Sequence, residues 1–298
     1  VTSPGGPTPA PRPDALGVEE AAALAREHGM SRVGERPGFG AYLADLWRRR
    51  RFVLTLAEGD FVSRHQNNYL GMLWAILNPM LLGGAYYLIF GVLLETTRGT
   101  DNYVLFLTSG LFTFIFIAGA LTSGSRSIIG RMGLVRSLRF PRIILPSAVT
   151  AAELLQALPA FAIIVVIALL TGETPSLEWL LFPVAVLIIG MMFLGVVMIL
   201  ARVLHAVRDT GNLMPLLVRM LRYVSGVFFS IESYASGIWS VILAYQPVAI
   251  SLTMVRETLL GSMPLRWETW AVSGGWAVLF LVVGTVVFWR GEADYGRA

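Results

Sequence analysis

The sequence predicts an all-α polytopic membrane protein: six transmembrane helices, an N-terminal amphipathic interface helix, and short re-entrant helices between spans 5 and 6. Three observations predict it. The 298 residues are 55% hydrophobic and only 14% charged, with a mean hydropathy of +0.67, whereas a soluble domain carries about 25% charge. Six apolar segments each approach or exceed the ~20 residues that cross a bilayer. The arginines between them fall on alternate loops, as membrane topology requires.

The elements follow in order. Residues 1–38, rich in Pro, Gly and Ala, read as a disordered cytoplasmic tail. No apolar run precedes the first span, so no cleaved signal peptide is expected and that span is its own insertion signal. Residues 39–70 alternate Tyr42, Leu43, Leu46, Trp47, Phe52, Leu54, Leu56 and Phe61 with Arg48–Arg51, Glu58, Asp60 and Arg64. That stretch is too charged to span and suits a helix lying among the head groups. The six-span domain covers 71–290, with spans at about 71–94, 103–125, 143–170, 179–201, 213–231 and 271–289. Four of these are uncharged; the third carries Glu153 and the fifth carries Arg219 and Arg222. The connection 232–270 is too apolar for an ordinary loop. Its Pro247 divides two short apolar stretches, which suits helices dipping into the outer leaflet, where irregular backbone is tolerated only against protein or a cavity. Residues 291–298 close the chain as a cytoplasmic tail.

Arginine bias sets the orientation. Arg48–Arg51 and Arg64 precede span 1; Arg126, Arg131, Arg136, Arg139 and Arg142 follow span 2 with no acid among them; Arg202 and Arg208 follow span 4. The opposite loops carry Glu95, Asp101, Glu173 and Glu178 with Arg98. Both termini are therefore expected in the cytoplasm of a bacterial inner (plasma) membrane.

Composition also excludes chemistry. There is no cysteine, and every one of the 23 basic residues is arginine. A phosphate-binding P-loop needs a lysine, so this sequence contains none, and any ATP is bound by another chain. His28, His65 and His205 stand apart, without H-E-x-x-H, G-x-S-x-G or D-x-D spacing, so neither a catalytic residue nor a metal site is expected. The net charge of +4 is spread along the chain rather than gathered into a nucleic-acid face.

Four motifs then carry a resemblance. They are Asn68-Tyr69-Leu70-Gly71-Met72-Leu73-Trp74 with Asn78-Pro79; Arg136-Ser137-Leu138-Arg139-Phe140-Pro141 with Leu145-Pro146; Arg208-Asp209 before span 5; and Tyr245-Gln246-Pro247 followed by Arg256. In order and spacing, from about Tyr42 to Trp289, the chain resembles the ABC-2 type polysaccharide-export permeases (Wzm-like exporters of O-antigen and teichoic acid). His65, Asn68 and Gln246 depart from the family pattern. Within the family the likeness is to mycobacterial permeases for lipid-linked galactan. The resemblance implies a homodimer with two ABC ATPase (Wzt-like) subunits, which hold the ATP and Mg. It implies no cofactor in this chain, membrane lipids around it, and a cargo of polyprenyl-pyrophosphate-linked glycan moved outward across the inner membrane.

Candidate residues follow from that resemblance and from the chemistry. Ile128, Arg131, Met132, Val135, Arg136, Leu138 and Arg139 are the implied ATPase-coupling segment; the reading from charge alone is topology. Arg219 and Arg222, three apart on one helix face, suit a lipid pyrophosphate; snorkelling, or pairing with Glu153, is the other reading. Tyr86, Tyr87, Phe90, Phe112, Phe116, Phe228 and Phe229 offer planes for sugar rings along a glycan path, or ordinary lipid contact. A membrane enzyme acting on polyprenyl-linked sugars is the alternative class, and it requires a cluster of acids at a membrane face. An ABC-2 exporter of drugs or lipids is a narrower one.

Overall fold

The computed structural model describes residues 38–64, 66, 69–94, 101–138, 140–292 and 295. Among them every regular element is helical. The expectations for residues 1–37 and for most of 291–298 lie outside the described residues, as do His65, Asn68 and Arg139.

Two helices precede the spans, α1 (Phe39–Arg48) and α2 (Arg50–Ser63). α3 (Trp74–Tyr86) contains Pro79 and runs on as a wider π-helical stretch, Tyr87–Leu93. α4 (Tyr103–Ser125) starts at Asn102, whose side chain accepts a hydrogen bond from the Leu105 amide at 3.2 Å, a side-chain N-cap. A 3₁₀ turn leads to the short α5 (Met132–Ser137). α6 (Ile144–Leu170) and α7 (Phe182–Ala206) follow, then α8 (Thr210–Val224). α9 (Ile238–Ala244) and α10 (Pro247–Leu259) meet at a 74° bend, and α11 (Trp267–Arg290) completes the order.

Among the described residues five helical stretches are long and apolar enough to cross a membrane, and the bent α9–α10 pair has the length and composition of a broken span or a re-entrant loop. The fifth expected span differs. α8 has 15 residues, about 22 Å of helix against a ~30 Å hydrocarbon core. The sequence reading ran that span to Ile231; the chain turns at Gly226 instead, which takes φ +70°. A left-handed glycine one residue past the Ser225 cap is a common helix stop, because glycine has no Cβ to clash there.

α4 is the central helix, with 78% of its apolar window buried, against 11% for the span that α3 begins. α7 and α11 cross most closely at Gly195 and Gly284, where a Cβ on either would strike the other helix's backbone. Small residues at such a crossing allow backbone-to-backbone packing in lipid. At one end of the bundle Asn102 donates to Thr171 Oγ1 at 2.8 Å and to Glu173 Oε1 at 2.9 Å, while Glu173 Oε2 accepts from Gly261 N at 2.9 Å. Three connections that are distant in sequence are thereby tied at the end expected to face outward.

Candidate functional site

The first feature is a face shared by α3 and α8. Phe228 stacks on Phe90 with centroids 4.6 Å apart and lies 4.6 Å from Tyr86. Arg222 donates from Nη1 to the Tyr86 hydroxyl at 3.1 Å, and its guanidinium lies 5.3 Å from the centre of the Phe114 ring. Arg222 Nε is buried without a hydrogen-bond partner. Arg219 is exposed, beside exposed Leu216, Met220 and Tyr223. So Arg222 turns inward to the aromatics and Arg219 outward. Tyr87 is exposed, and Tyr86, Phe90 and Phe229 are partly so. Phe112, Phe116 and Phe228 are buried within the protomer, Phe116 edge-on to Phe161. Their burial leaves Tyr86, Tyr87, Phe90 and Phe229 as the candidate aromatics with exposed surface.

Glu153 takes neither Arg219 nor Arg222. Its Oε1 lies 2.8 Å from Arg64 Nη2, at the end of α2. Gly119 of α4 makes room for this carboxylate, since a Cβ there would meet Oε2. The pairing expected from span depth is therefore corrected: α2 lies along α6 closely enough for its last arginine to reach the buried acid.

The second feature is the segment after α4. Ile128 is fully buried beside Tyr42, Ile143, Phe288 and Tyr295. Val135 is buried with Phe140, Ile144 and Leu145, and Met132 is partly buried against both groups. Arg131 pairs with Asp60 of α2. These four residues thus face the protomer, because a short helix between two spans must bury its apolar stripe somewhere. Among the described residues of this segment Arg126, Gly130, Gly133, Arg136, Ser137 and Leu138 are exposed, the last three side by side.

This end is locked by a carboxylate. Glu292 accepts from Tyr42 Oη at 2.8 Å, from the Arg142 amide at 3.0 Å and from Arg142 Nη1 at 3.2 Å. Tyr42 Oη also accepts from the Ile143 amide at 3.3 Å. Burial, with the Glu292 carboxylate beside it, holds the Tyr42 phenol well above its usual range.

The third feature was absent from the candidate residues. Arg256 of α10 is buried and donates to Phe106 O from Nε (3.2 Å) and Nη2 (3.1 Å), to Gly226 O from Nη1 (2.9 Å), and to Val227 O from Nη2 (3.1 Å). Its guanidinium also lies 3.5 Å from the Phe106 ring centre. The carbonyls of Gly226 and Val227 are those a continuing α8 would have used for its own ladder. Arg256 therefore holds the helix break in place and ties it to α4. Next to it, Glu257 accepts from Arg266 Nε at 3.0 Å and Thr269 Oγ1 at 2.7 Å, joining α10 to α11. The sequence signal was an arginine nine residues after Pro247, in a stretch otherwise apolar enough to bury.

Comparison with known proteins decides the family. The model of the ABC-2 type transporter family matches residues 51–260. The chain belongs to the ABC-2 type transporter family. An O-antigen export system permease protein RfbA of Klebsiella pneumoniae is 26% identical over 249 residues, covering 83% of this chain and 92% of the relative. The protein of that name from Myxococcus xanthus is 26% identical over 70% of this chain and 80% of its own length. The polysialic acid transport protein KpsM of Escherichia coli is 26% identical over 64% of this chain and 74% of its length. The bent α9–α10 pair is where the apolar stretches either side of Pro247 place dipping helices, and Arg256 is the part of it that hydropathy alone hides.

Proposed function

We propose that this chain is the membrane-spanning subunit of an ATP-driven exporter. Its cargo is a glycan carried on a polyprenyl-pyrophosphate lipid, galactan or an O-antigen-like polymer, moved outward across the bacterial inner membrane. The observation that carries the reading is the face where α3 meets the end of α8: Tyr86 and Phe90 pack on Phe228, Arg222 donates to the Tyr86 hydroxyl, and Tyr87 and Arg219 are exposed. Aromatic planes suit sugar rings, and guanidinium forks suit phosphate. Similarity to permeases named for O-antigen export and polysialic acid transport supports a polymeric sugar.

In this account two copies pair by symmetry, each presenting its α3–α8 face to the other. One face cannot enclose a polymer; two can. Two ATPase subunits, holding ATP and Mg, dock below on Arg136, Ser137 and Leu138, with both termini of this chain on that side. Closure of the ATPases pulls the segment 126–138, which is fixed to α2 through Arg131 and Asp60. The motion passes to α8 through Arg126, whose Nη2 donates to Gly211 O at 3.1 Å. A membrane glycosyltransferase would need acids gathered at a membrane face. Here Glu153, Glu257 and Glu292 each sit in a separate place against an arginine, which disfavours that class.

The test is co-expression with the ATPase encoded beside the gene, purification through a tag on this chain, and assay of ATP hydrolysis. Leu138→Asp with Arg136→Glu is expected to abolish co-purification while this chain still folds, because both side chains are exposed. Retention of the ATPase by that variant removes the proposed docking surface. A chain that binds no ATPase and turns over lipid-linked sugar overturns the exporter reading.

A further inference from the structure

A cleft of about 250 Å³ opens between the end of α2, the end of α4 and the segment that follows α4. Arg64, Arg126 and Arg131 line it, with Asp60, Ser127 and, from α6, Val149. Three guanidiniums face the two carboxylates that reach them, Asp60 on Arg131 and Glu153 on Arg64. The balance of charge is positive. Two polar atoms there lack a hydrogen-bond partner: Ser127 Oγ, on a side chain only 3% exposed, and Arg131 Nη1. A buried hydroxyl and a buried guanidinium N–H left unmade each cost stability, so their pairing is what a ligand would supply.

Donors dominate this arrangement, and the geometry is that of an oxyanion site. Arginine forks and a hydroxyl match the oxygens of a phosphate better than they match a neutral polyol. The depth is fixed by the fold. Span α4 ends at Ser125, directly before Arg126 and Ser127, and α2 is too charged to leave the interface. The cleft therefore lies at head-group level, open from one side, where a lipid phosphate arrives and a sugar chain can remain in water.

We propose that this cleft binds a phosphate or diphosphate group, and that its occupant is the diphosphate head of the isoprenoid carrier; this rests on the exporter reading above. The site is distinct from Arg219 and Arg222 and precedes them. Arg126 holds the carbonyl of Gly211 near the start of α8, and Arg219 lies eight residues further along, about 12 Å of helix. A head group seated in the cleft would thus touch a cation bonded to the start of α8, the helix that carries Arg219. It would also touch Arg131, which belongs to the coupling segment, so occupancy is communicated to the surface that meets the ATPase.

The experiment uses the full chain purified in detergent without any ATPase and measures binding by calorimetry. The probes are farnesyl diphosphate, inorganic pyrophosphate and farnesol. Farnesyl diphosphate is expected to bind, pyrophosphate at least tenfold more weakly, and farnesol not at all. Arg126→Gln is expected to weaken farnesyl diphosphate about tenfold and Ser127→Ala by about threefold. Ser127→Ala serves as the mild variant, since it removes one hydroxyl with no ion pair attached. Equal binding of pyrophosphate and farnesyl diphosphate would overturn the lipid assignment and leave a free-phosphate site. No binding of either phosphate, or binding that both variants leave intact, would overturn the site itself. Because no ATPase is present, loss of this binding leaves the exporter reading standing. Failure of the ATPase to co-purify, in turn, leaves a phosphate site standing.

Discussion

Buried Arg256 and the part-exposed arginines at the opposite end of the bundle are held in different ways. At the end that carries α1 and α5, Arg64, Arg131 and Arg142 each meet a carboxylate: Glu153, Asp60 and Glu292. At the other end Arg256 is held by the carbonyls of Phe106, Gly226 and Val227 and by the Phe106 ring. An ion pair joins two side chains and tolerates small shifts of the backbone between them. A guanidinium bonded to carbonyls fixes the backbone itself. The first arrangement suits a region that must transmit a pull, and the second suits a helix break whose position must not drift.

The largest effect is expected where the backbone is held. Arg256→Leu takes the donor from the Gly226 and Val227 carbonyls at once, while Phe106 O keeps the Ser109 hydroxyl, and should destabilise the protein by about 3 kcal/mol. A fall in melting temperature and in yield from detergent reports it. Arg256→Lys should recover little, because an ammonium cannot reproduce the planar fork that spans these acceptors. Recovery by lysine would mean that charge alone matters there and would erase the contrast between the two ends.

A smaller effect is expected at the paired end. Glu292→Gln leaves Arg142 without its carboxylate but keeps the amide oxygen as an acceptor for Tyr42. Arg142 is about a quarter exposed and so partly hydrated; the expected loss is about 1–2 kcal/mol. Tyr42→Phe removes one hydrogen bond to the same carboxylate and should cost about 1 kcal/mol. Chemical denaturation of the two variants ranks them, and a loss from Tyr42→Phe as large as that from Arg256→Leu would refute the ordering.

The smallest effect is in pH. The Tyr42 phenol is raised above its ordinary value in the folded chain. Below about pH 10 both states keep the proton, and this stabilising difference is fully present. Above it the unfolded chain releases a proton that the folded chain retains, so stability falls as pH rises. Stability profiles of the wild type and Tyr42→Phe should therefore converge in alkali and stay separated near neutrality.

Much of this fold was legible in the sequence, and the misses share a cause. The spans from 71, 103, 179 and 271 announce themselves by uninterrupted apolar length, and the span from 143 by its length despite Glu153. The fifth span did not end where hydropathy placed it, because its stop is Gly226 held by an arginine 30 residues later. Hydropathy also cannot tell α4 from α3, since both are apolar throughout and only packing makes one central. Ile128 and Val135 read as a docking face because a short amphipathic segment shows its stripe without showing which neighbour covers it. Glu153 was given the arginines of α8 because depth along a span says nothing about which helix lies beside it. The α3–α8 face was half legible: Tyr86, Phe90 and Arg222 were singled out separately, and the contact between them belongs to the tertiary structure.

The central claim is that the exposed side of α8 lines a water-filled route during turnover, while the exposed side of α11 faces lipid. The chain has no cysteine, so single cysteines report without background. Cysteine replaces Met220 on α8 in one variant and Val278 on α11 in another; both positions are exposed in the protomer. Each is reconstituted with the ATPase and treated with a charged, membrane-impermeant thiol reagent. The account predicts that position 220 is modified during ATP hydrolysis and that position 278 is not. Modification at 278 with none at 220 would contradict it.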